Sequence, residues 1–326
     1  MKQKQAAARG KKMADNTYIL IDLGGSNTRV ALSDETALNP ETIQKFSNAG
    51  HGCLENIIKT YMHAQNLSKV TAICVAAAGP LRDGVIKVTN LDWLICPDRL
   101  RALTQADHVG LLNDLQAQGY ALNVLPLESL KHLYGPSKAK AGTTKLVCGI
   151  GTGFNIAAAY PASKGVLVPP AEAGHVRLPV ATALQRELSD WIAAERGFAS
   201  VETVLSGNGL ETLNRFFDPE HPRSASEVMQ AAQDGQREAR HVVAFFASIM
   251  GSYFGDLALA HLPLGGIYMI GGVSRAIAPF VTPKNFGATF HDKGVFSDYM
   301  SEFPIFLVED DFAALKGCLG YLQQSI

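Results

Sequence analysis

Apolar and polar positions fall into distinct blocks along this chain. Tyr18-Ile19-Leu20-Ile21 is an apolar β-type run closed by Asp22, Leu23-Gly24-Gly25-Ser26-Asn27 follows, and Thr28-Arg29-Val30-Ala31-Leu32 returns as a second run. This reads as strand, glycine-rich turn, strand. A helix is predicted over Cys53 to Ala64, a strand over Ala72 to Ala77, and another over Val85 to Val88 leading into Thr89-Asn90-Leu91-Asp92-Trp93. The opening pattern then recurs as apolar Lys145 to Cys148, the turn Gly149-Ile150-Gly151-Thr152-Gly153, and a strand over Phe154 to Tyr160. Two glycine-rich hairpins about half a chain apart predict a duplicated α/β unit with a cleft between the copies.

The second half is more helical, with apolar residues at helical spacing over Ala181 to Arg196, Gly209 to Phe216, Ala225 to Gln233 and Gln236 to His261. A buried strand, Gly266 to Ile270, ends in Gly271-Gly272, and a closing helix, Asp311 to Leu322, is expected to pack back on the first domain. Pro126 to Lys140, rich in Lys with Pro and Gly, reads as a surface insertion. The expected division is a mobile extension over 1–16, with Met13 an alternative start, a small α/β domain over 17–124 plus 312–326, and a large α+β domain over 125–311.

Composition narrows the class. A chain of 326 residues with 47% hydrophobic and 18% charged residues is an ordinary globular protein of about two domains. A net charge of -1 gives no electrostatic case for nucleic acid or an acidic membrane as partner. The five cysteines are scattered and form no CxxC, which fits reduced thiols in the cytoplasm better than a zinc site. The N-terminal residues lack the apolar core of a signal peptide. The longest apolar stretch, Val242 to Phe254, is interrupted by Ser248, Gly251 and Ser252 and is too short to span a bilayer, so a buried helix is expected.

Several stretches carry candidate chemistry. In Asp22-x-Gly24-Gly25-Ser26-Asn27 the adjacent glycines allow backbone N–H groups to approach phosphate oxygens, and Ser26 and Asn27 add donors. Asp22 at the strand end could hold a hydrated Mg²⁺ beside those phosphates; the alternative is a hairpin turn built from these residues for shape alone. Gly149 to Gly153 lacks GxGxxG spacing and leads into a strand, so a second phosphate loop fits better than a dinucleotide site. No GxxxxGK[ST] element is present. Leu111-Leu112-Asn113-Asp114 ends a strand and opens a helix, which leaves Asp114 as either a general base for phosphoryl transfer or a helix cap. Pro169 to His175 is a rigid turn whose Glu172 and His175 could grip vicinal sugar hydroxyls, whereas a metal would need more ligands. Glu202 has the alternative of a first-turn acid favoured by a helix dipole.

In order along the chain, these stretches resemble the bacterial glucokinase family, within the sugar kinase/actin/heat-shock chaperone superfamily of ribonuclease-H-like fold. Asp22 to Arg29 resembles its first phosphate motif, Asn90 to Trp93 its sugar-contacting loop, Asn113-Asp114 its catalytic pair and Gly149 to Gly153 its second phosphate motif. Glu172 to His175 and Glu202 resemble its sugar-binding residues, and Gly271-Gly272 its adenosine motif. The resemblance implies a two-domain actin-like fold, ATP and Mg²⁺ in the cleft, glucose as substrate with Asp114 as base, and a homodimer. It leaves a related hexose or acylaminosugar kinase, and a non-catalytic sugar sensor, as alternatives. Asn155 stands where the family usually has glycine, Ala173 replaces a common glycine, and Arg177 takes a position that is often acidic or neutral. These departures bear on sugar preference and turnover. The Cys-rich zinc motif of the related ROK kinases and repressors is missing.

Overall fold

The computed structural model describes residues 16–326. The extension anticipated over 1–16 lies outside the described residues except for Asn16, whose side-chain amide meets the Glu35 carboxylate. The chain forms two compact units: residues up to Asp114 joined by Ala314–Ile326, and Leu115–Ala313.

In the first unit, β1 (Tyr18–Leu23), β2 (Asn27–Ser33), β3 (Gln44–Ser47), β4 (Ala72–Ala77) and β8 (His108–Asn113) build a sheet of order β3-β2-β1-β4-β8. The short strands β5 (Leu81–Arg82), β6 (Val85–Lys87) and β7 (Leu94–Ile95) form a separate small sheet. β4 is buried at every position, as expected of a parallel strand covered on both faces. Helix Leu54–Ala64 buries Leu54, Ile57, Ile58, Tyr61 and Met62, the spacing of a single helical face. The C-terminal helix, Ala313–Ser325, returns to this unit: the Cys318 thiol points at Ile21 O (3.6 Å), and Tyr321 packs where Gly110 has no side chain.

The second unit holds β9 (Leu130–Tyr134), β10 (Lys145–Ile150), β11 (Phe154–Pro161), β12 (Val166–Leu167), β13 (Ile267–Ile270) and β14 (Ile305–Val308), in the order β12-β11-β10-β13-β14-β9. Its first five strands repeat the first sheet: two antiparallel pairings through the hairpin, then two parallel ones. The duplication expected from the glycine hairpins is thus present in the topology.

Two expectations require correction. Pro126 to Lys140 is more than a surface insertion, because β9 lies within it and pairs antiparallel with β14. Its Lys131 and His132 are exposed on an edge strand, where charged and polar residues are favoured, and this hid the strand in the sequence. The boundary expected at residue 125 falls instead at Leu115, because helix Asp114–Ala121 packs with the second unit. There Gln116 Nε2 donates to Val168 O (2.9 Å), and Gly119 faces Val168 too closely to carry a Cβ.

Among the described residues, Arg237–His261 is the one helix long and apolar enough to cross a membrane, and most of it is buried in this unit. Gly251 and Gly255, four residues apart on one face, let the 283–290 segment approach: added Cβ atoms would lie 2.3 Å from Phe286 O and 2.8 Å from Phe290 O. At Gly251 helix propensity favours alanine by about 1 kcal/mol, but overpacking against a backbone carbonyl costs about 1–3 kcal/mol. Gly251→Ala is therefore expected to lower the urea midpoint with an unchanged m value, and a raised midpoint would show that the segment yields freely.

Candidate active site

The first glycine turn joins β1 to β2, with Asp22 opposite Arg29, Leu23 opposite Thr28, and Gly24 N–H donating to Asn27 O (3.0 Å). Neither Gly24 nor Gly25 has a positive φ, so turn shape alone does not call for glycine at either position. A Cβ on Gly25 would lie 3.6 Å from Cβ and Nδ2 of Asn90, so glycine keeps the turn surface clear beside that residue. Asn90 is brought there by backbone bonds: Ala78 N–H donates to Leu23 O (3.2 Å), Thr89 N–H to Ala78 O (2.9 Å), and Val88 N–H to Trp93 O (3.1 Å). Ser26 and Asn90 are exposed, and Asn27 is half-buried.

Sequence reasoning missed Asn48, which supports this turn from beneath. It is 2% exposed, and its side chain donates to Gly24 O (2.8 Å) and Gly25 O (3.1 Å) while accepting from the Thr28 hydroxyl (2.7 Å). Nothing in the local pattern marks it. A signal exists only in the pairing of β2 with β3, which carries Asn48 N–H to Ser26 O (2.9 Å).

Asp22 Oδ2 accepts from Arg29 (3.0 Å), and the carboxylate side chain is 18% exposed. Burial pushes its pKa above the usual carboxylate value, and the Arg29 cation opposes that rise. Among the described residues no three His, Cys, Asp or Glu side chains converge. A cation at this turn would therefore combine one carboxylate with substrate phosphates and water, an arrangement suited to Mg²⁺.

Asn113 and Asp114 occupy the same edge of the first sheet. Leu23 pairs with Ala77 and Ala77 with Asn113, so the carboxyl ends of β1, β4 and β8 lie side by side. Two strand spacings separate the turn from the pair, roughly 10 Å. Asn113 is buried, whereas Asp114 is half-buried and begins helix Asp114–Ala121, where an acid also suits the helix dipole. Ligands of open α/β sheets bind beyond the carboxyl ends of the strands, which is where these residues stand.

In the second unit, the hairpin β10–β11 closes with Gly151 N–H donating to Gly153 O (2.9 Å), leaving Thr152 exposed at its tip. Gly207 N–H donates to Gly151 O (2.8 Å) from behind. Gly271 (φ 101°) packs against Ile150 O and precedes helix Gly272–Ile277, so Gly271-Gly272 adjoins the hairpin. Gly149 fits against Leu115.

Glu202 is not a first-turn acid, because the helix after it starts at Gly207. Its Oε2 instead accepts from Phe154 N–H (2.8 Å), and it fills the space that a Cβ on Gly153 would need. Glu202 N–H donates to Gly174 O (2.9 Å), tying the second glycine turn to the Glu172–His175 turn. Gly174 is itself required, since a Cβ there would lie 2.0 Å from Phe154 O. Asn155 braces the same turn: its amide donates to Ala171 O (2.6 Å), lies 3.4 Å from Glu172 Oε2, and accepts from Ala173 N–H (3.0 Å). Tyr253, whose hydroxyl pKa burial raises, donates to Ala173 O (2.7 Å). Glu172 and His175 themselves are exposed, and Arg177 lies with its guanidinium over Phe198 (4.9 Å).

The profile of the glucokinase family matches residues 19–325. The glucokinase of Erwinia tasmaniensis is 31% identical over 316 residues, covering 95% of this chain and 98% of its own length. That of Saccharophagus degradans is 32% identical over 321 residues, covering 94% and 98%. Among solved structures, glucokinase from an Antarctic psychrotroph matches with TM-score 0.84 at 27% identity, covering 95% of this chain and 99% of that one. Glucokinase from Balamuthia mandrillaris, solved in complex with glucose, matches with TM-score 0.78 at 19% identity over 94% and 93%, a likeness of fold alone. The duplicated α/β architecture is that of ATP-dependent sugar kinases with an actin-like two-domain fold. Within that class, the chain belongs to the glucokinase family.

The Asp22–Arg29 pair yields a pH prediction. Because the folded-state pKa of Asp22 is raised, the folded chain retains this proton after the unfolded chain has lost it, so this residue lowers stability as pH rises from about 4. Arg29→Met removes the opposing cation and should steepen that loss toward neutral pH in urea unfolding. Parallel pH profiles for variant and wild type would show that Arg29 does not govern the Asp22 charge.

Proposed function

We propose that this protein transfers the γ-phosphoryl group of ATP to the 6-hydroxyl of glucose, giving glucose 6-phosphate and ADP, with Asp114 as the base. The observation that carries the reading is the alignment of Leu23, Ala77 and Asn113, which sets Asp114 and the Gly24-Gly25 turn on one sheet edge. Membership of the glucokinase family supports the choice of donor and acceptor. Asp114 accepts the proton of the sugar hydroxyl as that oxygen attacks the phosphorus in line, and positioning with charge stabilisation supplies most of the acceleration.

The roles of the remaining residues follow their chemistry. Backbone N–H groups of Gly25, Ser26 and Asn27, and of Thr152 and Gly153, serve the ATP phosphates. The Gly24 and Gly151 N–H groups are held by Asn27 O and Gly153 O, so Gly24, Gly149 and Gly151 contribute as the framework of the two turns, while Gly271 and Gly272 border the adenosine. Arg29 balances Asp22, whose carboxylate would hold Mg²⁺ through water; the ion, when bound, neutralises charge on the phosphates. Asn90, Asn113, Glu172, His175 and Glu202 bind the sugar. Glu202 does so with one carboxylate oxygen, since Phe154 N–H holds the other. The Asn155 brace at Glu172 supports a fixed carboxylate there and thus narrow sugar preference.

A coupled assay of ADP release over glucose, mannose, glucosamine and N-acetylglucosamine tests the reading. Glucose should give the highest kcat/KM, and absence of turnover with every sugar would overturn it. Asp114→Asn should lower kcat by about 10² or more with little change in glucose affinity; a near-normal rate would remove Asp114 from its role. Glu172→Ala should raise the KM for glucose by roughly tenfold or more with a smaller effect on the KM for ATP, and an unchanged KM for glucose would count against that contact.

A further inference from the structure

Asn48 makes a set of bonds that a merely space-filling residue would not. The Thr28 hydroxyl donates to its Oδ1 (2.7 Å), which fixes the orientation of the amide and leaves Nδ2 as the donor face. Nδ2 donates to Gly24 O (2.8 Å) and Gly25 O (3.1 Å), and the Asn48 backbone N–H donates to Ser26 O (2.9 Å). Three successive carbonyls of the turn therefore point at one residue that is 2% exposed.

In a trans peptide the N–H points opposite to the C=O of the same plane. The planes whose carbonyls Asn48 holds carry the N–H groups of Gly25, Ser26 and Asn27, so those donors face away from it. Successive N–H groups presented together form an anion-binding concavity. If the planes rotated, carbonyl oxygens would meet the phosphate in their place and repel it.

We propose that Asn48, held by Thr28, is the positioning residue that locks the peptide planes of the Gly24–Asn27 turn with their N–H groups toward the ATP phosphates. The proposal rests on the reading of this turn as a phosphate site. It differs from a purely structural role in what it predicts: loss of Asn48 weakens nucleotide binding selectively, rather than reducing the amount of folded enzyme.

The test uses Asn48→Ala, Thr28→Val and Thr28→Ser, with steady-state KM for ATP and glucose and calorimetric affinity for ADP in the presence of MgCl₂. Asn48→Ala should raise the KM for ATP and weaken ADP by about tenfold or more, with the KM for glucose within about twofold. Thr28→Val, which frees the amide to turn over, should shift the same constants in the same direction, and Thr28→Ser, which keeps the hydroxyl, should restore them. ADP affinity in folded Asn48→Ala within about twofold of wild type, or equal weakening toward glucose and nucleotide, would overturn the proposal. Should Asn48→Ala fail to fold, the Thr28 pair decides: equal ADP affinity in the Val and Ser variants overturns it. A wild-type protein that binds ADP but phosphorylates no sugar would sink the glucokinase reading while leaving this test intact.

Discussion

Hydrogen bonding between the parallel strands β1, β4 and β8 sets the geometry on which the first unit's chemistry depends. The ladder brings Leu23, Ala77 and Asn113 into line, and all six residues of β4 between the outer two strands are buried. A slip of one residue would turn that strand's faces inside out, so burial holds the register firmly. The glycine turn after Leu23 and the acid after Asn113 inherit their separation from this pairing. Their placement needs no long loop, because each lies within a few residues of a strand end.

The two glycine hairpins have the same topology but use glycine for different physical reasons. In the first, Gly24 and Gly25 have ordinary backbone angles and Gly25 has room for a Cβ, so the gain is an unobstructed surface. At the second, Gly153 in the hairpin and Gly174 in the neighbouring Glu172–His175 turn are sites where a Cβ would strike Glu202 or Phe154 O, so the gain is close packing between turns. Around Phe154 this packing joins Glu202, Asn155 and Tyr253 into one hydrogen-bonded support for the Glu172–His175 turn. Asn155 and Ala173 are both part of it: the Asn155 amide grips Ala171 and Ala173, and the Ala173 carbonyl receives the Tyr253 hydroxyl.

The sequence made the hairpins, the β4 strand over Ala72 to Ala77 and the long helices legible, since period and glycine position carry those elements directly. It did not reveal β9, because an edge strand tolerates Lys131 and His132 and so loses its apolar signature. The candidate residues of the turns were visible by type, but their supports were not. Asn48 lies 24 positions from Gly24 and Glu202 lies 48 from Phe154. Such pairings depend on strand order and turn packing, which leave no periodic trace. The fold also removed one local alternative, since Glu202 precedes the helix that would have made it a dipole partner.

The C-terminal helix has a consequence for how the protein is made. Ala313–Ser325 covers β1 and β8, with Cys318 at Ile21 and Tyr321 at Gly110, yet it leaves the ribosome only after the whole of Leu115–Ala313. Domains generally fold in order of emergence. Here the unit synthesised first is the one completed last, so its sheet face at Leu20, Cys74 and Gly110 stays without this helix throughout translation of the second unit. Loss of this helix would therefore damage the beginning of the fold, and the nascent chain would present that bare apolar face to chaperones until the helix emerges.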